Sequence, residues 1–414
     1  DSVLKLLKER YFLPEENSWE DLAKRVSFFY PEIYEDILNF VFIPSSPTLM
    51  NGNTMGKRRG TLSSCFPMGI EDSIEGIFKA VEECALVTRA GGGVGYDFST
   101  LRGNKEIIKG INRVSSGPLY FLDVFNSTLN AIRQGGVRRG AGMALLSIDH
   151  PNILDFIKAK NNLSKFNYFN FSIKIPSSFY KMLEENPLAP HKVKNITDGV
   201  EYDLVDENGK IVTIKQLWDL IIKNSWLTAE PGIFNSDLAY QRSTVTNLDN
   251  RVISNPCAEF IGIPYQSCNL GSINLAALVE NKVFNWKKFE EIIVKAVRFL
   301  NSVIDHNDYP LSKIKKMTLD TRPIGLGYMG LATALFKKEI PYNSIRACKF
   351  LEDVNSYLTI RGMVESVELA KKYRSYKAFD VDLFLKANER FFTKEYVRDI
   401  NIKNLVEDIK KYGI

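Results

Sequence analysis

The chain has 414 residues, of which 45% are hydrophobic and 25% are charged, a composition typical of a globular protein. The net charge of +5 is modest and the basic residues are scattered, which argues against a nucleic-acid site. No apolar stretch approaches the roughly 20 residues that cross a bilayer. Five cysteines in a chain of this length indicate a reducing compartment, and we expect a cytoplasmic protein that does not bind membranes.

The first half of the chain predicts helices and strands in alternation. Residues 1–40 have a helical pattern of aromatic and aliphatic residues, and Asp72 with Glu75 forms a capping-box pattern that starts the next helix. A further helix is predicted at about 119–133. The apolar run at 144–148 predicts a short buried strand.

The second half continues this pattern. Residues 169–175 alternate strictly between apolar and polar side chains, which predicts a half-buried strand. Asn208-Gly209 between two strand-like runs predicts a two-residue hairpin turn. A long helix with one apolar face is predicted at about 288–305, and the region from about 344 is again helical. No repeat or low-complexity linker divides the chain.

Three cysteines lie among polar residues that suit redox chemistry. Asn255, Cys257 and Glu259 occupy alternate positions, and on an extended segment alternate side chains point the same way. A thiol to take a hydrogen atom, a carboxylate to take a proton and an amide to hold geometry suit a radical reaction at a hydroxyl-bearing carbon. Cys65 and Cys268 could supply two electrons by closing to a disulfide.

The segments around these cysteines match a known family. The matching blocks are FIPSSPTLMNG (42–52), SSCF (63–66), DSIEGIF (72–78), AGGGVG (90–95), QGGVRRGAGM (134–143), NPCAE (255–259), CNLGSINL (268–275) and RPIGLGYMG (322–330). In this order, from about Phe42 to Gly413, the chain closely resembles the large catalytic subunit of class I and class II ribonucleotide reductases.

The resemblance implies an α/β fold with a ten-stranded barrel, made of two five-stranded parallel halves that run antiparallel to each other. We therefore expect a helical segment at 1–41 and a catalytic barrel domain at 42–414. Family members continue past the position of Gly413. The resemblance thus implies a barrel that is incomplete at the C-terminus and a complementary C-terminal reductase chain as partner.

The resemblance also implies the reduction of ribonucleotides to 2′-deoxyribonucleotides. Cys257 would carry the thiyl radical that removes the 3′ hydrogen, Glu259 would be the general base for the 3′-hydroxyl, and Asn255 would hold the hydroxyls. Cys65 and Cys268 would be the reducing pair. The substrate-binding positions implied by the family are Ser46, Ser64, Cys65, Asn255 and Glu259.

A second site is implied for a deoxynucleoside triphosphate effector. Its implied residues are Asp72, Ser73, Ile74, Arg89, Arg102, Lys109 and Gly110. The glycine-rich segment with Arg138 and Arg139 would be the specificity loop between the effector and substrate sites. The family further implies a homodimer through the effector-site helices and an external thiol reductant of the thioredoxin or glutaredoxin type.

The radical source is left open between two cofactors. The NPCAE and FIPSSPTLMNG blocks look more like the adenosylcobalamin-dependent class II, and the alternative is a radical-generating small subunit that contains metal. No protein-bound metal is expected on this chain, because its three histidines lack metal-ligand spacing. Cys84 and Cys348 lie in helical apolar patterns and are predicted to be core residues.

Two other functions are weaker hypotheses. A regulatory nucleotide-binding paralogue would not need the Asn255, Cys257 and Glu259 set. A NAD-dependent oxidoreductase would rest on the G-x-G-x-x-G pattern from Gly325 to Gly330 alone. That pattern follows a poor strand and lacks a suitably placed acidic residue, so tight backbone packing is the preferred interpretation.

Overall fold

The computed structural model describes residues 2–57, 60–104, 106–108, 113–132, 139–162 and 164–414. The α-helices are α1 (Ser2–Arg10), α2 (Trp19–Val26), α3 (Tyr34–Leu38), α4 (Ser46–Asn51), α5 (Ile74–Arg89), α6 (Pro118–Ala131), α7 (Ile153–Lys158), α8 (Ser177–Glu185), α9 (Ile214–Thr228), α10 (Ser236–Gln241), α11 (Trp286–His306), α12 (Ser312–Thr321), α13 (Leu331–Lys337), α14 (Ile345–Tyr373), α15 (Val381–Ala387) and α16 (Ile402–Tyr412).

The β-strands are β1 (Phe42–Pro44), β2 (Cys65–Met68), β3 (Gly93–Asp97), β4 (Ile107–Ile108), β5 (Arg113–Val114), β6 (Gly142–Ser147), β7 (Phe169–Ile175), β8 (Lys192–Lys194), β9 (Glu201–Asp203), β10 (Gly232–Asn235), β11 (Ile253–Ser254), β12 (Ile261–Gly262), β13 (Asn269–Asn274), β14 (Val279–Glu280), β15 (Val283–Phe284), β16 (Ile324–Met329), β17 (Tyr396–Val397) and β18 (Ile400–Asn401). The chain divides into two compact units. We name them the Cys65 unit (Cys65–Tyr265) and the Cys268 unit (Asp1–Ser64 with Gln266–Ile414).

The Cys65 unit contains a parallel sheet whose strands lie side by side in chain order, β2, β3, β6, β7 and β10. Each strand is joined to the next by a segment that contains a helix, as parallel pairing requires. β2 and β3 are buried along their whole length, which explains their largely apolar sequences. The predicted α/β class and a parallel sheet are therefore present. The ten-stranded arrangement and the domain limits at residue 42 stay predictions.

The Cys268 unit contains a smaller sheet in the order β1, β13, β16, in which β13 runs parallel to β16 and antiparallel to β1. Its core includes one face of α11, which packs against α14. The buried residues of α11 include Phe289, Ile292, Ala296, Phe299 and Val303. The apolar face that the sequence predicts for this helix is thus confirmed.

The start of α5 differs from its prediction by one residue. Ser73, not Asp72, is the N-cap, and its hydroxyl accepts a hydrogen bond from the Gly76 amide at 3.0 Å. The capping box with Glu75 is wrong, because Arg102 engages the Asp72 carboxylate instead, with a distance of 2.7 Å from Nε to Oδ2.

The hairpin turn after β9 is one residue longer than predicted. Val205 pairs with Ile211, and the Asp206 amide donates to the Lys210 carbonyl at 2.8 Å. Three residues therefore connect Asp206 to Lys210 across the turn. Gly209 has a φ of +76°, the left-handed conformation that glycine adopts without steric cost.

The G-x-G-x-x-G pattern lies mainly on a strand and not in a phosphate-binding turn. Gly325 and Gly327 belong to β16, and only Gly330 lies at the turn into α13. A Cβ at Gly325 would lie 2.3 Å from Leu270 Cδ2 on β13. Close packing between neighbouring strands accounts for this glycine, as the sequence analysis preferred.

Across the residues that the structure describes, every helix is too short or too polar to cross a membrane.

Candidate active site

A short hairpin presents the Asn255–Glu259 segment. β11 and β12 pair antiparallel and flank it, and the Ala258 amide donates to the Asn255 carbonyl at 3.1 Å. Ala258 has a φ of +63°, so the chain turns sharply here. The Phe260 amide donates to Asn255 Oδ1 at 3.0 Å. The asparagine side chain therefore closes the loop that carries it.

Asn255, Cys65 and Glu259 form a hydrogen-bonded cluster at the base of this loop. Asn255 Nδ2 lies 3.1 Å from Cys65 Sγ and 2.7 Å from Glu259 Oε2. Cys65 Sγ lies 3.2 Å from Glu259 Oε1. Asn255 and Cys65 are 2% and 1% exposed, whereas Glu259 is exposed. A buried amide thus orients an exposed carboxylate next to a thiol.

Cys257 lies in the turn of the hairpin and is exposed. The sequence predicts that Asn255, Cys257 and Glu259 face one way because they alternate on an extended segment. That reasoning is wrong for this segment, because it is a turn. Asn255 and Glu259 nevertheless meet, since the turn at Ala258 brings together side chains four residues apart.

Two residues that the sequence analysis did not select support the hairpin. Asn170 Nδ2 on β7 donates to the Pro256 carbonyl at 2.8 Å. Gly95 on β3 lies directly against the hairpin, because a Cβ at this position would be 1.7 Å from the Ser254 carbonyl oxygen. The alternating pattern of β7 was a signal for the polar face that carries Asn170. Gly95 gave no comparable signal, because Ser254, the residue it contacts, is far away in the sequence.

The Cys268 unit carries the other predicted substrate-site residues. Cys268 is 2% exposed, and its carbonyl accepts a hydrogen bond of 2.9 Å from the Ser64 amide. Ser46 is half-buried, and its hydroxyl lies 3.0 Å from the Tyr11 hydroxyl. The structure thus places Ser64 beside the backbone of Cys268. Tyr11 is a polar neighbour of Ser46 that the sequence analysis did not identify.

The predicted effector residues are only partly brought together. Arg102 binds Asp72 through its side chain and its backbone amide, and both side chains are partly exposed. Ser73 uses its hydroxyl as a helix cap, and Ile74 is 60% exposed. Arg89 ends α5, about 22 Å from the first residue of the helix, because each step from Ile74 to Arg89 rises about 1.5 Å.

Some residues predicted for the effector site and the specificity loop lie outside the part of the chain that the structure describes. Lys109, Gly110 and Arg138 lie outside the described residues, and Arg139 is exposed. In the described part of the chain, no group of three or more His, Cys, Asp or Glu side chains is placed to hold a metal ion.

The other two cysteines differ from each other. Cys84 is fully buried on α5, and burial raises the pKa of its thiol to about 12. The core prediction for Cys84 is therefore confirmed, and the thiol is unreactive at neutral pH. The same prediction for Cys348 is wrong, since this residue is exposed on α14.

A family model described as ribonucleotide reductase, barrel domain, matches residues 63–414. The chain belongs to the ribonucleotide reductase family. The matched range contains the hairpin cluster, Cys257 and Cys268, so the family assignment and the geometry concern the same residues. Family membership leaves the NAD-dependent oxidoreductase hypothesis without support.

Curated relatives of this chain carry consistent names. Two named vitamin B12-dependent ribonucleoside-diphosphate reductase, from Thermoplasma acidophilum and Mycobacterium tuberculosis, are 38% and 36% identical over 349 and 356 residues. The matches cover 83% and 85% of this chain, and 44% and 49% of those proteins. The ribonucleoside-diphosphate reductase large chain of Neurospora crassa is 30% identical over 427 residues, 96% of this chain and 45% of that protein. The matched regions thus amount to less than half the length of each of these relatives.

Proposed function

We propose that this chain supplies the catalytic thiols of a ribonucleotide reductase, which converts ribonucleotides to 2′-deoxyribonucleotides by thiyl radical chemistry. One observation carries the proposal: a hairpin exposes Cys257 at its turn and holds Glu259 against Cys65 through the amide of Asn255. The names of the relatives favour a ribonucleoside diphosphate as the substrate.

The first steps use the hairpin residues. Cys257, after losing its hydrogen atom, takes the 3′ hydrogen atom of the ribose. Glu259 accepts the 3′-hydroxyl proton, and its exposure leaves the carboxylate accessible to a substrate. Both amide hydrogens of Asn255 are already engaged by Cys65 and Glu259, so Asn255 must exchange one of these partners before it can donate to a ribose hydroxyl.

The electrons come from Cys65 and Cys268. The 2′-hydroxyl leaves as water, a hydrogen takes its place at C2′, and the two thiols become one disulfide. Cys257 then returns the hydrogen atom to C3′, and Glu259 returns the proton to the 3′ oxygen. The hydrogen bond from the Ser64 amide to the Cys268 carbonyl supports this pairing, because Ser64 directly precedes Cys65. An external dithiol of the thioredoxin or glutaredoxin type reduces the disulfide again.

The exposed thiol of Cys257 fits a radical source that approaches the turn of the hairpin. The relatives named vitamin B12-dependent favour adenosylcobalamin over a metal-containing small subunit. Adenosylcobalamin supplies, when bound, an organic radical that can accept the hydrogen atom of a thiol. Cys257 is the residue of this chain that would donate that atom.

The rest of the substrate site is proposed on the Cys268 unit. Ser46 and Ser64 would bind the ribose and phosphates through their hydroxyls. The five parallel strands of the Cys65 unit would form one half of a ten-stranded barrel. A cytoplasmic location stays a prediction.

A homodimer through α5 would complete the effector site. Ile74 and Phe78 on α5 are 60% and 51% exposed, which suits burial against a second copy. In an antiparallel pair of α5 helices, Arg89 of one copy would lie near Asp72 and Arg102 of the other. The two arginines would then bind the phosphates of a deoxynucleoside triphosphate.

Arg102→Ala is expected to weaken binding of the deoxynucleoside triphosphate about tenfold or more, because a charge-assisted contact is lost. Asp72→Ala is expected to act in the same direction, because Asp72 orients Arg102. Lys215→Ala is the control, since it breaks an exposed ion pair with Asp219 on α9 of the same unit. Isothermal titration measures the three affinities. Unchanged affinity in both Asp72 and Arg102 variants would place the effector elsewhere.

The experiment that tests the proposed function is a single turnover without external reductant. A reconstituted reductase that contains this chain is expected to form about one deoxyribonucleotide per chain and then stop, because one thiol pair supplies two electrons. Peptide mapping is expected to show one disulfide between Cys65 and Cys268 per product. Product formation with both thiols still reduced would contradict the mechanism. Effector binding without any product would indicate the regulatory paralogue instead.

A further inference from the structure

A hydrogen-bonded network of buried hydroxyl and amide groups connects the two segments that lead into Cys65 and Cys268. It lies entirely in the Cys268 unit, and its residues have no role in the predicted sites or in the proposed mechanism. Its members, each at most 9% exposed, are Thr61, Ser63, Ser267, Asn307 and Thr318. We name this set the hydroxyl network.

Asn307, which follows α11, binds the segment that precedes Cys65. Its Oδ1 accepts hydrogen bonds from Thr61 Oγ1 at 3.1 Å and from the Leu62 amide at 2.6 Å. Its Nδ2 donates to Ser63 Oγ at 2.9 Å. One side chain from the end of a long helix therefore fixes three consecutive residues.

Thr318 on α12 binds the segment that precedes Cys268. Its Oγ1 accepts from the Ser267 amide at 3.0 Å and lies 3.0 Å from Ser267 Oγ. Ser267 Oγ in turn donates to Ser63 Oγ at 3.2 Å. The two segments are thus joined through side chains as well as through the backbone hydrogen bond from Ser64 to Cys268.

Packing alone does not explain this arrangement. Apolar side chains of similar size would fill the same space without the desolvation cost of buried hydroxyls. A polar network in which every described member has partners fixes relative positions more narrowly than apolar contacts, because hydrogen bonds are directional. Here the network fixes the relative positions of the two segments that lead into the proposed reducing pair.

We propose that the hydroxyl network consists of positioning residues that hold the two cysteine-bearing segments in register while both thiols are reduced. Disulfide closure then requires little further ordering of the chain, which raises the effective concentration of one thiol towards the other. The inference rests on the proposed role of Cys65 and Cys268. It adds that their readiness to close is set by residues outside the reducing pair.

The test compares Thr318→Val with Thr318→Ser in the 414-residue chain. Valine keeps the shape of threonine and removes the hydroxyl, whereas serine keeps the hydroxyl. Each protein is equilibrated in glutathione buffers, where oxidised glutathione takes two electrons and two protons from the thiols and yields two reduced glutathiones. Mass spectrometry measures the fraction of chains that contain the Cys65–Cys268 disulfide.

The valine variant is expected to lower the equilibrium constant for closure about tenfold, equivalent to about 30 mV, and the serine variant to stay near wild type. Ser63→Ala, a smaller change in the same network, is expected to shift the equilibrium constant in the same direction. It replaces Thr318→Val as the test variant if Thr318→Val does not fold. The control is Asn274→Ala at the far end of β13. It also removes two side-chain hydrogen bonds, to the Phe40 carbonyl and the Ala276 amide.

Three results would overturn the inference. The first is closure in Thr318→Val and Ser63→Ala that equals wild type, which would leave the network with a structural role only. The second is an equal shift in Asn274→Ala, which would indicate general loosening of the unit. The third is a wild-type chain that forms no Cys65–Cys268 disulfide in any buffer. That result would remove the reducing pair itself and is thus distinguishable from the first two.

Discussion

Cys257→Ser is expected to lower deoxyribonucleotide formation by a reconstituted reductase at least about 10³-fold, the scale of loss when a central catalytic group is removed. The O–H bond of serine is stronger than the S–H bond of cysteine, so the variant does not give up a hydrogen atom to the radical source. Substrate affinity is expected to change little. Cys257 is exposed at the turn, and the Cys65–Asn255–Glu259 contacts do not depend on its sulfur.

The chain offers a matched control for this experiment. Cys348 is also an exposed cysteine, and it lies on α14, outside the proposed site. Cys348→Ser makes the same chemical change and is expected to retain wild-type turnover. Steady-state rates of both variants, with substrate affinity measured by equilibrium binding, decide the matter. Turnover by Cys257→Ser within about tenfold of wild type would contradict the radical assignment.

The residue types of the site could be predicted from the sequence, but its geometry could not. Asn255, Cys257 and Glu259 suggested a common face through the alternation of a strand. The structure instead brings Asn255 and Glu259 together by a turn with a left-handed Ala258. Alanine does not favour that conformation, so the local sequence contained no signal for it. The contact with Cys65 joins residues far apart in the chain, which local patterns do not specify.

The sequence predicts burial well for a helix with one continuous apolar face. It predicts burial poorly at single positions beside such a face. The buried face of α11 agrees with its spacing because burial repeats every three to four residues. Cys348 follows Ala347, a buried residue of α14, but one residue corresponds to a rotation of about 100° around a helix. It therefore lies off the buried face. The hydroxyl network could not be predicted for another reason. Serine and threonine are mostly surface residues, so a sequence does not show which of them are buried.

Gly95→Ala is expected to lower turnover about 100-fold, the scale that a displacement of about 1 Å in a catalytic group can produce. A Cβ at Gly95 would lie 1.7 Å from the Ser254 carbonyl oxygen and 2.8 Å from the Ser254 carbonyl carbon. Real Cβ atoms do not approach so closely, and the clash is with backbone, which cannot rotate away. The hairpin must therefore move, and Asn255 moves with it relative to Cys65.

The control for this prediction is Gly362→Ala in α14, where, among the residues that the structure describes, no neighbouring heavy atom would lie within 4 Å of the added Cβ. Alanine is the better helix former, so this variant is expected to be at least as stable as wild type and fully active. Turnover and thermal unfolding are measured for both variants. A folded Gly95→Ala protein with wild-type turnover would mean that catalysis does not require the hairpin to lie against β3. Loss of turnover in the folded protein, with Gly362→Ala unaffected, ties the chemistry to a contact that only the absence of a side chain permits.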